Sequence, residues 1–533
     1  MLIAYAQMKV VAGHPEINTK KILQFIDKAR AGGADMIIFP GLAISGDMLG
    51  DITWERKAFL RDCVACGDKI AEASEGIGIF FSNTDDKGVC FDFCVNDGEF
   101  LTEEEFPWDF TVSFKWDCSS KVDFLIENLS VPFSLDKLAY YSETFRRPLI
   151  QVSCVGIQNT GKTIYTFDGA SAVFNSRGEV VQYIEPFTEG LNFIELDEID
   201  KMPALKLPEV SEPARIYRAL SYGVKEFLAQ IGMSKVVIGV SGGIDSAVAA
   251  ALYVQVVGAE NVYLVNMPSK FNSSTTKNLS EQLAKNLGCK YYVVPIQESV
   301  DWTIKQLNEC GIEVSDFVKE NIQARDRSSR ILAAIAASIG GVFTCNANKA
   351  ESTVGYATLY GDEAGFLSAL ADLWKYQVYD LARYMNAEIY GREVIPQGII
   401  DIVPSAELST AQNVDEGKGD PLKYPYHDYL FRAFAERDLT PEDILRWYAD
   451  GELERFIDCE AGIVEKYFPT AQEFIADLER WWKAFTGMGV AKRIQSPPIL
   501  AVTDNPYGKI NESQNGWHFT RGYYELKDEL LAR

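Results

Sequence analysis

The chain has 533 residues, of which 47% are hydrophobic and 24% are charged. This composition is typical of folded globular proteins, and the length exceeds that of one ordinary domain. The net charge of −25 argues against nucleic acids and anionic membranes as partners, because both require a positive protein surface. No apolar run approaches the roughly 20 residues of a membrane span, and the first residues lack the basic region of a signal peptide.

The ten cysteines are scattered, and only Cys63/Cys66 and Cys90/Cys94 lie close together in the sequence. Neither pair lies in a glycine turn of the kind that zinc sites use, so we expect reduced thiols. Reduced thiols indicate a cytoplasmic protein. Histidine occurs only three times, which disfavours a Ser-His-Asp catalytic set.

The first 200 residues alternate short apolar runs with helical patterns. The apolar runs predict buried strands at 36–39, 124–126 and 149–152, and the spacing of residues 22–31 predicts an amphipathic helix. Residues 201–213 are charged and contain Pro203, Pro208 and Pro213, so we predict a linker there. The sequence therefore predicts a first domain over residues 1–200.

Strands and helices alternate regularly from residue 214 onwards. The pattern predicts helices at 214–231, 246–257 and 276–287, and strands at 235–240, 262–265 and 291–294. This order is typical of a doubly wound parallel sheet, which binds ligands at the carboxyl ends of its strands. The tail is predicted to be helical, with Thr440 capping one helix. We therefore predict an α/β protein whose second domain covers residues 214–533.

The most informative motif is a loop between a predicted strand and the following helix. It contains Ser241, Gly242, Gly243, Asp245 and Ser246. The glycines let the backbone approach an anion, and the hydroxyls and free amides at the helix N-terminus can donate to it. Asp245 is better suited to holding Mg²⁺ that bridges phosphates. A capped glycine turn is the structural alternative, and the loop lacks the frame of a Walker motif.

This loop resembles the pyrophosphate loop of the ATP pyrophosphatases, which cleave ATP between the α- and β-phosphates. Within that family, the segments 267–269, 321–325, 348–351, 355–362, 373–375, 404–408 and 492–498 resemble NAD⁺ synthetases in order and spacing. The match runs from about residue 235 to residue 500. It implies that ATP adenylates the carboxylate of nicotinic acid adenine dinucleotide, releasing pyrophosphate. Ammonia then converts the acyl-adenylate to an amide, and AMP leaves.

The resemblance also implies roles for individual residues. Asp245 and Glu351 would hold Mg²⁺, and Asp245, Lys375 and Asp362 would be catalytic. The expected ATP site consists of the loop residues together with Met267, Arg325, Lys349, Lys375 and Ser405. The expected dinucleotide site contains Asp362, Lys492 and Arg493, and Arg327 is a weaker candidate for a phosphate contact. Each charge taken alone fits a solvated surface equally well, but their joint register with the loop favours a site. The resemblance further implies a homodimer or a larger homo-oligomer.

The first domain resembles the carbon–nitrogen hydrolases (nitrilase-like), which have an α/β sandwich fold. The resemblance rests on Ala6-Gln7, on Gly33-Ala34-Asp35 and on the segment 128–133. It implies a domain that hydrolyses glutamine and passes ammonia to the synthetase through an internal tunnel. The family's chemistry requires a nucleophilic cysteine, a proton-shuttling glutamate and an oxyanion-stabilising lysine.

This chain departs from that catalytic set. Gly41 follows Phe39-Pro40, where the family has its glutamate, and Lys115 aligns with the nucleophile while Cys118 is displaced. The segment that supplies the family's lysine is shortened. We therefore expect free ammonia as the nitrogen donor, an inactive first domain and, as one option, a separate ammonia supplier.

The alternative is a glutamine-dependent enzyme with a rearranged site, in which Cys118 works with Asp117 or Asp47. A non-catalytic scaffold would not need Asp245, Glu351 and Lys375 in register.

Overall fold

The computed structural model describes residues 1–47, 49, 56–101, 112–113, 124–135, 147–506 and 519–532. The chain forms two compact units, residues 1–226 and 227–533. The division falls within helix Glu212–Gln230, beyond the predicted linker. No helix among the described residues is long and apolar enough to cross a bilayer.

The first unit is built on two β-sheets. Its strands are β1 Leu2–Gln7, β2 Met36–Ile38, β3 Gly78–Thr84, β4 Cys90–Asn96, β5 Glu99–Leu101, β6 Val112–Ser113, β7 Phe124–Leu129, β8 Leu149–Ser153, β9 Val155–Thr160, β10 Thr163–Asp168, β11 Ala172–Phe174, β12 Val180–Tyr183 and β13 Gly190–Glu195. One sheet has the order β13-β1-β2-β3-β4-β5 and the other β12-β11-β8-β7-β6, while β9 and β10 form an antiparallel hairpin.

The two sheets pack face to face over a common apolar core. Ile3 and Met36 pair across β1 and β2, and their side chains meet Phe124, Ile126 and Ile150 of the other sheet. These are the alternate residues of each strand, as an aligned sheet sandwich requires. The predicted strands at 36–39, 124–126 and 149–152 are therefore core strands.

Helices α1, Pro15–Ala31, and α2, Lys57–Glu72, belong to the same unit, and they pack against each other. Ile22, Phe25 and Ile26 are buried at helical spacing along α1. Cys63 and Cys66 lie three residues apart on the buried face of α2. None of the cysteines that the structure describes forms a disulfide. Helix α3, Glu212–Gln230, follows the segment 201–211.

The second unit contains a four-stranded parallel sheet. Its strands are β14 Val236–Gly239, β15 Val262–Asn266, β16 Lys290–Val293 and β17 Val342–Phe343, in the order β16-β15-β14-β17. Val236 pairs with both Val262 and Val342, so β14 lies between two parallel neighbours. Its four residues are apolar, and the first three of them are fully buried, as expected for a strand covered on both faces.

Helices follow the strands and complete the unit. They are α4 Ile244–Val257, α5 Ser274–Leu287, α6 Gln297–Glu309, α7 Asp316–Arg325, α8 Ala333–Ile339, α9 Lys349–Val354, α10 Lys375–Tyr384, α11 Gln397–Asp401, α12 Tyr424–Ala435, α13 Pro441–Ala449, α14 Leu453–Ile457, α15 Ile463–Tyr467, α16 Ala471–Thr486, α17 Met488–Gln495 and α18 Arg521–Ala532. Two π-helical segments, Asp326–Leu332 and Met385–Ile389, and the short strand β18, Ile499–Ala501, also belong to this unit.

The later helices form an aromatic core of their own. Tyr426, Phe431, Phe434, Phe474 and Trp481 are buried together there. The predicted cap of α13 is present: Pro441 lies at the start of the helix, and Thr440 and Asp443 form a reciprocal capping box. The observed architecture confirms the predicted α/β fold class, with a parallel sheet in the second unit.

Candidate nucleotide site

The loop after β14 has the geometry of an anion-binding turn. Gly242 has φ +91°, and a Cβ on it would lie 2.3 Å from the carbonyl oxygen of Thr276, so this position requires glycine. The hydroxyl of Ser246 donates to the Gly243 carbonyl at 3.0 Å, and the Gly243 amide donates to Ser241 Oγ at 3.2 Å. The turn is thus held by its own hydroxyls, with the N-terminus of α4 directly behind it.

Asp245 lies in the first turn of α4 and contacts a lysine from a distant element. Lys375 Nζ, at the start of α10, is 2.5 Å from Asp245 Oδ2 and 3.8 Å from Glu351 Oε1. Burial alone would lower the pKa of the Lys375 ammonium, but the two carboxylates outweigh burial and raise it. Lys375 is therefore a permanent positive charge between two acids.

Glu351 is the second acid of this group. Burial first, and then the charge of Asp245, raise the pKa of its carboxyl. The hydroxyl of Tyr424 donates to Glu351 Oε1 at 3.1 Å. Two carboxylates that disfavour each other's charge will gain from a shared cation. Their chemistry fits a Mg²⁺ ion that takes its remaining ligands from water and phosphate.

Asn348 positions both acids. Its side chain donates to Asp245 Oδ1 at 3.1 Å and accepts from the Glu351 amide at 3.1 Å. The second bond is half of the capping box that begins α9. The same amide group thus fixes a helix N-terminus and orients a carboxylate on another helix.

These groups line one cavity at the carboxyl end of the parallel sheet. Ser241, Gly242, Gly243, Ser246, Met267 and Ser405 contribute to its wall, as do Asp245, Glu351, Asp362 and Lys375. The Ser405 hydroxyl donates to the Gln412 carbonyl at 2.7 Å, so its proton is already engaged. The structure therefore brings together most of the residues expected from the sequence.

Lys349 differs from the expectation of a phosphate contact. Its side chain is fully buried, and its ammonium lies 2.7 Å from both Asp372 and Glu436, outside the cavity wall. It also lies 5.2 Å from the ring centre of Trp374. Two carboxylates neutralise this lysine, which therefore holds α9 to the surrounding core and does not face a ligand.

Arginine positions also differ from the expectation. Arg325 is exposed, and its Nε donates to the Leu359 carbonyl at 3.1 Å, whereas Arg327 is the arginine in the cavity wall. Arg327 donates to the Met267 carbonyl and to the Asn272 side chain. Burial lowers the pKa of its guanidinium to about 10, so it keeps its charge at neutral pH.

The residues expected at the dinucleotide site take different positions. Asp362 lines the cavity, and its Oδ1 accepts from the Thr358 amide at 2.6 Å. Lys492 donates to the Gly355 carbonyl at 2.7 Å, and the neighbouring Asp362 and Glu363 are the acids that favour its charge. Neither Lys492 nor Arg493 belongs to the wall of the cavity.

Arg493 is 3% exposed and donates to the carbonyls of Thr353 and Phe485. Because Arg493 is buried and its guanidinium is bound by backbone carbonyls, it contributes to packing and does not face the cavity. Its assignment to a ligand came from register alone, and register does not say which way a side chain points.

No role was predicted from the sequence for Tyr356, Glu363 and Asp420, which line the cavity. None was predicted for Tyr424 either, which lies outside the wall and donates to Glu351. Glu363 adjoins Asp362 in the sequence, so its proximity was a usable signal. Asp420 accepts from Tyr356 and from the Ala406 amide. Tyr356 lies within the segment 355–362, whereas Glu363 and Asp420 lie outside the segments that the resemblance rests on.

The first unit contains the region where the hydrolase family has its catalytic set. A Cβ on Gly41 would lie 3.0 Å from the Asn128 carbonyl and 3.3 Å from the Ser130 amide. The backbone after β7 therefore lies close against the position of the missing glutamate. Lys115, Asp117 and Cys118 lie outside the described residues.

A different carboxylate is present beside this backbone. Asp92 on β4 accepts from the Ser82 hydroxyl at 2.5 Å and from the Asn128 side chain at 3.0 Å. Asp47, the alternative acid expected from the sequence, has its pKa raised by burial. Cys154 is buried, and burial raises the pKa of its thiol to about 12, which makes it a poor nucleophile.

Comparisons with known proteins identify the second unit. Residues 216–457 match the NAD synthase family. The glutamine-dependent NAD⁺ synthetase of Synechocystis sp. is 33% identical over 408 residues, which cover 74% of this chain and 65% of that protein. The one from Xylella fastidiosa is 29% identical over 508 residues, covering 85% and 91%. The chain thus spans just under two thirds of the first relative and most of the second.

Solved structures extend the likeness over both units. The glutamine-dependent NAD⁺ synthetase of Acinetobacter baumannii, in complex with ADP, has a TM-score of 0.67 at 25% identity and covers 86% of this chain and 92% of its own. The one from Cytophaga hutchinsonii has a TM-score of 0.76, with 99% of both chains covered. At 15% identity the second likeness shows the fold alone.

These relatives contradict the expectation of free ammonia as the nitrogen donor. That expectation rested on Gly41 and on the displaced Cys118, and it treated departure from one triad as loss of the activity. Relatives that cover both halves of the chain are described as glutamine-dependent. The finding favours the alternative with a rearranged site. Together with the match of residues 216–457, it places the second unit in the NAD synthase family and makes the chain as a whole similar to glutamine-dependent NAD⁺ synthetases.

Proposed function

We propose that this chain makes NAD⁺ from nicotinic acid adenine dinucleotide, with ATP as co-substrate and glutamine as the nitrogen donor. The observation that carries the proposal is the loop 241–246, which places backbone amides beside the Asp245–Lys375 pair in one cavity. A family match covers this cavity. The glutamine part is supported by the relatives that span both units.

The residues of the cavity divide the adenylation step among them. The loop amides and the N-terminus of α4 bind phosphate oxygens, and Lys375 supplies a fixed charge beside them. Asp245 and Glu351 would hold Mg²⁺, which would supply positive charge to the phosphate groups when bound. Asp362, in the cavity wall, is proposed to contact the dinucleotide.

The proposed nitrogen donor requires a rearranged site in the first unit. Glycine at position 41 has no side chain to move a proton, and the backbone at Asn128 leaves little room for one. Asp92, held by Ser82 and Asn128, is the described carboxylate in that hydrogen-bond network. We propose Cys118 as the nucleophile, as the sequence alternative has it.

Three broader assignments accompany this proposal. The homodimer rests on the family resemblance, and equilibrium sedimentation of the purified chain tests it. The free thiols of the described cysteines support a cytoplasmic location. ATP and the dinucleotide are the proposed small-molecule partners.

Isotope transfer tests the reaction. The purified chain is incubated with Mg-ATP, the dinucleotide and glutamine labelled with ¹⁵N in its amide. We expect labelled NAD⁺, with AMP and pyrophosphate formed in equal amounts. ADP and phosphate as products, or NAD⁺ without the label, would contradict the proposal. Asp245→Asn should lower the rate by at least about 100-fold, because the metal clamp is lost. The exposed Asp301→Asn on α6 is the matched control.

A further inference from the structure

Glu363 is a buried acid in the cavity that the adenylation step does not use. Glu363 is 1% exposed and lines the cavity wall next to Asp362. Neither carboxyl oxygen has a hydrogen-bond partner among the residues that the structure describes. The Ser352 hydroxyl is close enough to favour the charged form, but without the geometry of a hydrogen bond. Most buried polar atoms have a hydrogen-bond partner, so two unpartnered oxygens on one buried carboxyl require an explanation.

The charges that face Glu363 leave it available. Of the cations near Glu363, Lys492 lowers the pKa of its carboxyl most. Lys492 donates to the Gly355 and Ala357 carbonyls, however, and forms no ion pair with Glu363. Arg493 also lowers the pKa of Glu363 slightly and is occupied by backbone carbonyls. Asp362 opposes both cations. The result is a carboxyl beside an acid, with its two oxygens directed to no described donor.

The backbone around Glu363 is fixed. The Gly361 amide donates to the Thr358 carbonyl at 2.9 Å, and the Ala364 amide donates to the Gly361 carbonyl at 3.0 Å. A Cβ on Gly365, which has φ +153°, would lie 2.5 Å from the Cys345 amide nitrogen, so the segment lies directly against the chain after β17. The turn that carries the Glu363 carboxyl is therefore held in place, and a ligand would need only a movement of the side chain to reach its two buried oxygens.

The protonation state of Glu363 suits proton transfer. Burial, followed by the charge of Asp362, raises the pKa of its carboxyl to about 7. A group with a pKa near the operating pH is both deprotonated often enough to accept a proton and basic enough to remove one. Strongly shifted acids inside a cavity are frequent at reaction centres.

We propose that the Glu363 carboxylate binds ammonium, released from glutamine or added to the solution, inside the cavity and removes one proton from it, which leaves ammonia as the nucleophile. This inference rests on the proposed function, and it adds a catalytic residue for the second half of that reaction. Ammonium is a compact cation with N–H donors, and two free carboxyl oxygens beside Asp362 match it in charge and in hydrogen bonding.

The step balances in protons and electrons. One proton of ammonium passes to a Glu363 oxygen, leaving ammonia with its lone pair. The lone pair forms the C–N bond at the acyl carbon, and the C–O bond to the AMP phosphate breaks with its electron pair on oxygen. The nitrogen then loses its surplus proton to solvent, and Glu363 later returns its own proton to solvent. One amide, one AMP and two protons result from one ammonium and one acyl-adenylate.

The two half-reactions separate this role from a structural one. Exchange of labelled pyrophosphate into ATP measures adenylation, and NAD⁺ formation from added ammonium chloride measures amide formation. For Glu363→Gln we expect pyrophosphate exchange within about twofold of the unsubstituted chain, and kcat/KM for ammonium lower by about 100-fold or more. Glu363→Asp should recover part of the rate. Exposed Glu309→Gln on α6 is the matched control.

Hydroxylamine provides the decisive arm, because it is uncharged at neutral pH and needs no deprotonation before attack. The hydroxamate should form at similar rates with Glu363→Gln and with the unsubstituted chain. Unchanged ammonium kinetics in Glu363→Gln, equal losses with both nucleophiles, or loss of pyrophosphate exchange would overturn the role of Glu363. Failure of the unsubstituted chain to exchange pyrophosphate would instead overturn the proposed function.

Discussion

Lys349 and Lys375 have the same charge and lie close to motif acids, yet they differ in what surrounds them. Lys349 is enclosed by Asp372, Glu436 and the Thr503 hydroxyl. Lys375 contacts Asp245 and Glu351 at the cavity wall. A buried lysine between two acids is neutralised, and removing it would leave both acids uncompensated. Residue type alone therefore does not distinguish a structural cation from a catalytic one.

Glu363 should make the stability of the chain depend on pH. Its pKa of about 7 in the folded chain exceeds the usual 4.5, so the folded state binds this proton more tightly than the unfolded state does. The stabilisation is complete below pH 4.5 and is lost as the pH rises through 7, by about 2.5 kcal/mol between pH 5 and pH 8. Glu363→Gln removes this pH-dependent contribution to the free energy of unfolding.

Urea unfolding at the two pH values measures the effect. The free energy of unfolding of Glu363→Gln, relative to the unsubstituted chain, should rise from pH 5 to pH 8 by that amount. Exposed Glu309→Gln should show no such difference. A parallel pH dependence of all three chains would show that the Glu363 carboxyl titrates normally.

At the scale of elements, the site depends on where a strand ends and a helix begins. The loop 241–246 joins β14 to α4, and Asn346, in the segment after β17, donates to the Gly239 carbonyl at 3.3 Å. Asn266, at the end of β15, donates to the Val240 carbonyl at 2.8 Å. Amide side chains from two neighbouring segments thus hold the end of the central strand. The loop that follows this strand is therefore fixed at its start.

Replacement of Gly242 should disrupt this loop more than a positive φ alone would. Both Gly242 and Gly232 have positive φ, +91° and +68°, but only at Gly242 would a Cβ collide with backbone. Gly242→Ala should reduce pyrophosphate exchange by about 100-fold or more, since a shift of about 1 Å in a catalytic loop has that effect.

Gly232→Ala is the matched control, because nothing lies within 4 Å of its added Cβ. It should lose about 1–2 kcal/mol of stability while keeping normal exchange. Equal exchange rates in the two variants would mean that the contact with Thr276 does not set the loop conformation.

At the scale of the whole molecule, charge sets a condition for binding. The chain has a net charge of −25, and the described residues of the cavity wall include five acids, Asp245, Glu351, Asp362, Glu363 and Asp420, against Arg327 and Lys375. ATP is itself an anion. Its binding must overcome repulsion from the site and from the surrounding field.

ATP binding should therefore require a divalent cation. Titration calorimetry with ATP in excess Mg²⁺ should give a measurable Kd. In the same titration with a chelator, the affinity for ATP should fall by about 100-fold or more, because a metal that bridges carboxylates and phosphates is removed. Asp245→Asn should reduce the effect of Mg²⁺. Equal affinity with and without the cation would contradict the assignment of Asp245 and Glu351.

The sequence by itself determined the fold class and indicated the candidate nucleotide site. The alternation of apolar runs with helical patterns identified the parallel sheet, because period and burial are local properties of a strand or helix. The glycine and serine spacing at 241–246 identified the loop, because only such residues fit the turn that the structure shows.

Tertiary structure decided which charged side chains face the cavity. Lys349 and Arg493 lie in register with the motif but point into the packed interior, whereas Glu363 and Asp420 lie in the cavity wall without any motif. The direction of a side chain depends on the packing of elements far apart in sequence, such as α9 against α12 and α17. Spacing along the chain carries no record of that packing, so the sequence indicated Asp245, Glu351 and Asp362 but could neither exclude Lys349 and Arg493 nor indicate Glu363 and Asp420.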